Sequence, residues 1–270
     1  METLCRDKEK LATVRERLSD ISWFMRALAE PIARLANKQD ECTGRFWEGR
    51  FKCQRIVDEA GLLACSMYVD LNPVRAAMAS STEECEHTSA YDRVKGRRGA
   101  QIPSAAFDLK PIPTGEAGRK IRETPVEQLR EERKRKKRNP TGKRIRRDDW
   151  LSPLTLGDKT LSAEPQAHSG GLRSSDKGFL NVSWEDYWEL LKWTAKQTIA
   201  VVTPKVPAKL AKRLGELGID ASMWRDLVWE WERYFGKTAC VGGPESMKEH
   251  AEATGRHHHR GQAAVKACFG

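Results

Sequence analysis

The sequence contains no run of apolar residues approaching the roughly 18 that a membrane-spanning helix requires. Its seven cysteines include no C-x-x-C pair, and their count is odd. That combination argues against a disulfide framework and against a zinc ribbon. It fits reduced thiols in a cytoplasmic protein. Met1 to Lys10 is polar and carries acids, so it has the character of neither a secretory signal nor a transit peptide. Histidine is scarce as well: there are six, and none precedes His87.

What is present is charge. Of 270 residues, 32% are charged and 39% hydrophobic, with a net charge of +10. The length suggests one or two domains, and the apolar share supports modest cores over part of the chain. The excess is concentrated: Arg130 to Arg147 holds eleven Lys or Arg against two Glu, a local +9, which leaves +1 for all other residues. Its centre, R-K-R-K-K-R from Arg133 to Arg138, is a solvated polycation that like-charge repulsion keeps from folding alone. It reads either as a non-specific phosphate-binding tract, steeply salt-dependent, or as a merely soluble linker. Three regions follow. Residues 1–91 and 178–270 carry the patterned apolar residues. Residues 92–177, rich in Pro, Gly, Ser and Arg with two aromatics (Phe107 and Trp150), read as a disordered basic linker.

In the first region Asp20 is positioned to cap a helix. Ile21, Phe24, Met25, Leu28, Ile32 and Leu35 recur at three- and four-residue steps, one apolar stripe on about 18 residues. Pro31 is expected to bend it. After the turn-like stretch Lys38 to Gly44, Arg45 to Val57 reads as one bent strand or a short hairpin, with Gly49 permitting a bulge. Within it Arg45, Trp47, Arg50 and Lys52 interleave basic and aromatic character. Aromatic faces beside guanidinium groups suit single-stranded nucleic acid, while Phe46 and Phe51 could equally fill a core. Asp58 caps a second helix, Glu59 to Asn72, which Pro73 stops or kinks. Tyr68 and Asn72 share one face near its end, and Arg75 lies just beyond.

The string G-R-F-W-E-G-R-F-K, Gly44 to Lys52, followed by A-C-S-M-Y-V-D-L-N-P-V-R-A, Ala64 to Ala76, resembles the REP-associated tyrosine transposases. These are single-tyrosine HUH transposases of the insertion-sequence-200-like group. The resemblance covers about Leu18 to Tyr91, and its Y-x-x-x-N-P-V-R-A element is the more specific part. It implies an α+β domain with a ferredoxin-like antiparallel sheet, acting on single-stranded DNA beside a hairpin in the bacterial cytoplasm, at the nucleoid. It implies Tyr68 as the nucleophile that cleaves and rejoins the strand. It implies a divalent metal, Mg or Mn, held by two histidines of a His-hydrophobe-His strand together with Asn72. Arg45, Trp47, Arg50, Lys52 and Arg75 are then the DNA contacts, and a homodimer is left open. The chemistry suits the residue types. Only ~0.1% of a phenol is ionised at neutral pH, so a metal polarising the phosphate offsets the weak nucleophile on the way to a covalent phosphotyrosine.

The family's histidine pair precedes the tyrosine helix, and here nothing before His87 can supply it. His257, His258 and His259 form a literal H-x-H, but in a polar stretch without strand pattern. Cys240 and Cys268 beside them match no standard zinc spacing. The expectation is therefore a transposase domain entered part-way, without the first strands or the full metal site, and inactive alone as a nuclease.

In the third region Ser183 and Asp186 resemble a capping box, opening a helix through Trp184, Tyr187, Trp188, Leu191 and Ala195 to about Val202. Lys209 to Leu217 forms a short helix closed by Gly218. Asp220 caps a third, with Trp224, Leu227, Val228, Trp231 and Tyr234 on one face, and residues beyond Met247 are expected to fray. The three helices suggest a small bundle, whose aromatic stripe reads as core or as the face of a docking or DNA-binding accessory module. The chain as a whole should be mostly α. Two other readings remain beside the transposase one: a nucleic-acid-binding module without chemistry, and a structural product without a ligand.

Overall fold

The computed structural model describes residues 7–103, 128, 131, 144–156, 173, 175–197, 205–256 and 262–269. The polycation Arg133–Arg138 and the histidine run His257–His259 lie outside them. The described chain is mostly helical, and none of its helices is long and apolar enough to cross a membrane. It divides into two compact units, one built on residues 7–53 and one on residues 54–103 with those from 144 onward.

The first unit holds α1 (Lys8–Ser19) and α2 (Ile21–Gln39). Asp20 ends the first and caps the second, its carboxylate accepting from the amides of Ser22 and Trp23, as the cap pattern predicts. The helix continues through Pro31. Its apolar stripe is left uncovered: Phe24 is 60% exposed, Ile21 51% and Leu28 47%. Two helices joined by one residue enclose too little volume to sequester a full stripe.

The second unit is organised by α3 (Glu59–Arg75). Ala60, Leu63, Ala64, Met67, Asp70 and Leu71 are buried along it, the three- and four-residue spacing that turns one helix face to a core. Asp58 caps it through the Gly61 amide at 2.7 Å, and its second oxygen accepts from Gly243 at 2.6 Å. The helix runs past Asn72 to Arg75, beyond the expected stop. Pro73 forfeits only the bond to Val69, an exposed residue in the last turns. The strand expected over Arg45–Val57 shortens to β1 (Arg55–Ile56), which pairs in parallel with β4 (Cys240–Val241). Residues 45–53 have no ladder partner among the described residues, and a strand exists only where its backbone groups are paired.

Part of the stretch expected to be linker is folded. α4 (Ser89–Arg97) is followed by β2 (Gln101–Pro103), which pairs antiparallel with β3 (Arg144–Arg146). Asp92 gathers the next turn, accepting from Arg147 Nε at 2.5 Å and Trp150 Nε1 at 3.0 Å. These two-residue and three-residue ladders are the sheets of the described chain.

The C-terminal helices pack on α3 within the same unit. α5 (Trp184–Lys196) is capped by Ser183 through the Asp186 amide. α6 (Ala208–Glu216) ends before Gly218 at φ +73°. The third expected helix is broken into α7 (Trp224–Trp229) and α8 (Trp231–Tyr234) at Glu230. Its aromatic stripe is core: Trp224, Leu227, Val228, Trp231 and Tyr234 are all buried. Thr194 fixes it, its hydroxyl accepting from Trp224 Nε1 and its carbonyl from Trp229 Nε1. Among the described residues the fraying expected beyond Met247 is not found. α9 (Pro244–Ala253) and α10 (Gln262–Lys266) follow, and Met247, Ala251, Val265 and Cys268 are buried, because their apolar side chains fill the end of the core that α8 leaves open.

Candidate nucleic-acid interface and tyrosine site

The aromatic-basic segment belongs to the first unit. Every residue from Arg45 to Cys53 is exposed. Phe46, Trp47 and Phe51 are 42%, 43% and 40% exposed, so they do not fill a core. One contact shapes the segment: Trp47 donates its indole N–H to the Ala29 carbonyl at 3.0 Å. Phe46 meets Trp47 edge to face at 4.8 Å. Asn37 anchors the approach by donating to the Gly44 carbonyl. The result is a run of open aromatic surface carrying Arg45, Arg50 and Lys52, none of which is ion-paired among the described residues.

Tyr68, Asn72 and Arg75 belong to the second unit. Tyr68 is half-buried. Its ring stacks on Trp231, 4.7 Å between centroids, and the Arg75 guanidinium lies over it at 4.4 Å. The ring therefore contacts an aromatic neighbour and a cation. Arg75 is itself tied, donating to the Trp229 carbonyl at 3.1 Å. The Tyr68 hydroxyl makes no hydrogen bond among the described residues. Asn72 lies one turn on and is exposed.

A divalent cation is not accommodated by these residues. Mg²⁺ and Mn²⁺ call for several oxygen ligands. Asn72 offers one amide oxygen, and the group nearest the phenol ring is a guanidinium, which repels a cation. The adjacent carboxylate, Asp70, faces the core. Its oxygens accept from Tyr187 at 2.7 Å, from the Ser89 hydroxyl and from the Ala90 amide. Burial pushes the Asp70 carboxyl above its ordinary value, against the hydrogen bonds that lower it. Burial likewise raises Tyr187 well above 10, with the Asp70 charge adding to it. No group of three or more His, Cys, Asp or Glu suited to a metal occurs among the described residues. Cys240 and Cys268 are buried, and burial raises the Cys268 thiol to about 11, the opposite of the low pKa a thiolate ligand requires.

Two features escaped the sequence reading. One is Asp70, whose burial depends on a partner 117 residues away. The other is a cavity of about 740 Å³ in the second unit, lined in part by Arg93, Arg97, Arg146, Asp148, Arg173 and Trp184. The available signal was the Arg93–Arg97 spacing, which puts both guanidinium groups on one helix face. All four arginines come from residues 92–177, the stretch read as linker.

Comparison with protein-family models, with curated proteins and with solved structures gives no match.

Proposed function

We propose that this chain is a transposase-like protein that binds single-stranded, hairpin-containing DNA through Arg45–Lys52, and that its own residues do not complete tyrosine-mediated strand cleavage. The observation that carries the reading is the exposure of Phe46, Trp47 and Phe51 beside Arg45, Arg50 and Lys52, none of them ion-paired among the described residues. Exposed rings interleaved with cations bind single strands by stacking bases and neutralising phosphates, with little regard to sequence. The polycation Arg133–Arg138 adds phosphate affinity by charge alone.

The second half of the proposal rests on the tyrosine site. A phenol attacking a phosphodiester needs a group to stabilise charge on the phosphate, and the donor set around Asn72 does not assemble a metal site. Arg75, the cation nearest Tyr68, is held by a carbonyl and by the ring itself.

Fluorescence anisotropy with a labelled hairpin-flanked oligonucleotide tests the binding. Phe51→Ala and Arg50→Ala should each weaken it, Phe51→Ala by about 1–3 kcal/mol, the usual contribution of one base stack. Unchanged affinity in both variants removes this interface. A nicking assay with Mg²⁺ or Mn²⁺ tests the chemistry. Cleavage abolished by Tyr68→Phe would show that the site is complete after all.

A further inference from the structure

The cavity of the second unit has a chemistry of its own. Its volume, about 740 Å³, is within the range of small-molecule sites. Arg93 lines it and is nine-tenths buried. One terminal nitrogen of Arg93 donates to the Ser152 carbonyl at 2.7 Å, while its Nε is buried with no partner. No carboxylate among the described residues lies within ion-pair distance of it. Burial pushes this guanidinium below its ordinary value. A buried cation left without a paired anion is costly, and an anion in the adjacent space relieves that cost.

The neighbours fit the same ligand. Arg97, one turn on, is half exposed and only loosely paired with Glu185 at 3.4 Å. Arg146 is held by Asp148 in a two-point pair at 2.9 and 3.1 Å, and Arg173 by Asp176 at 2.6 Å. The Arg97 pair is exposed and exchanges readily for a stronger acceptor, while Arg146 and Arg173 sit in pairs that are partly buried. Planar guanidinium forks match phosphate oxygens two at a time. Trp184 also borders the space, but its ring is stacked on Trp188 at 5.7 Å and has Arg97 over it at 5.4 Å. It has no free face for a base. Four arginines stand in the lining against two carboxylates, Asp148 and Asp149, so its net charge is positive and favours an anionic group over an aromatic one.

We infer that this cavity is a binding site for the phosphate group of a phosphate ester, with Arg93 as the buried anchor and Arg97, Arg146 and Arg173 closing around it. The phosphate belongs either to a small molecule or to a nucleic-acid strand. The inference does not depend on the Arg45–Lys52 interface, which lies in the other unit.

The test is isothermal titration of the full chain with inorganic pyrophosphate at low salt. Saturable binding is expected, weakened about tenfold in Arg93→Gln and several-fold in Arg97→Ala. Should Arg93→Gln lose its circular dichroism signal, the double variant Arg97→Ala with Arg173→Ala carries the test, since both side chains are partly exposed. Absence of saturable binding by the unaltered chain, or undiminished binding in the folded variants, overturns the site. Single-stranded oligonucleotides with and without a 5′-phosphate are then added as competitors. Displacement of pyrophosphate assigns the phosphate to a strand, and no displacement assigns it to a small ester. Either result upholds the phosphate chemistry. Phe51→Ala should leave pyrophosphate binding intact whatever it does to DNA binding, so the two readings fail separately.

Discussion

Tyr187 donates its hydroxyl to Asp70 at 2.7 Å in an interior where Tyr187 is 1% and Asp70 2% exposed. The bond joins the helix that carries Tyr68 to the first C-terminal helix. Removing the donor leaves a buried carboxyl short of a partner, which costs about 1–3 kcal/mol. Tyr187→Phe should therefore lower the urea midpoint, with little change in slope.

The same carboxyl gives a pH signature. Burial raises Asp70 above its unfolded value of 3.8, so between 3.8 and the higher folded value the native state holds the extra proton. Stability then falls as pH rises through that window. In Asp70→Asn this component is absent. The stability difference between wild type and Asp70→Asn should accordingly decline as pH is raised from below 3.8, read from urea titrations at each pH. A flat difference would place Asp70 in contact with water.

Gly61 sits where the tyrosine helix meets the strand Cys240–Val241. A Cβ there would lie 2.5 Å from the Val241 carbonyl oxygen and 2.9 Å from Gly242 Cα, both backbone atoms that cannot turn aside. Alanine is the better helix former by about 1 kcal/mol, yet Gly61→Ala should destabilise the protein by about 1–3 kcal/mol. Thermal unfolding decides the sign.

Tyr68 should behave as a ring rather than as a hydroxyl. Its hydroxyl has no partner among the described residues, so Tyr68→Phe should shift stability by less than about 0.5 kcal/mol. Tyr68→Ala removes the ring's contacts with Trp231 and Arg75 and should cost clearly more.

Thiol accessibility should separate the six described cysteines. Cys42 and Cys53 are exposed, while Cys85, Cys240 and Cys268 are buried, and burial raises the thiol pKa of those three, Cys268 to about 11. Iodoacetamide at pH 8 should label Cys42 and Cys53 in the native protein. The buried three should react only in denaturant, because the thiolate is the reactive form.

Local signals carried the helices. The caps at Asp20, Asp58 and Ser183 each bond the amides their positions predict, because a cap is satisfied within four residues and needs no tertiary partner. Periodicity placed Leu63, Met67 and Leu71 inside for a similar reason, since one face of a helix is set by spacing alone. It misjudged two other stretches. The stripe from Ile21 to Leu35 has the same spacing but stays open in its unit, and Met247, Ala251, Val265 and Cys268, in a stretch expected to fray, are buried. Spacing shows which residues share a face, not whether anything covers it. Arg45–Lys52 was legible as an aromatic-basic segment, while its freedom from any sheet was not.

What the amino-acid order determined by itself is therefore the helices that begin at Asp20, Asp58 and Ser183, their capped starts and the chemical character of each segment, because those depend on neighbours a few residues apart. Tertiary structure alone decided that Arg55–Ile56 pairs with Cys240–Val241, that Tyr68 stacks on Trp231, and that Arg93, Arg146 and Arg173 border one cavity. Each of these arrangements joins residues more than 50 positions apart. No local preference encodes such contacts. They form where buried apolar area and paired polar groups together outweigh the entropy of closing the intervening chain.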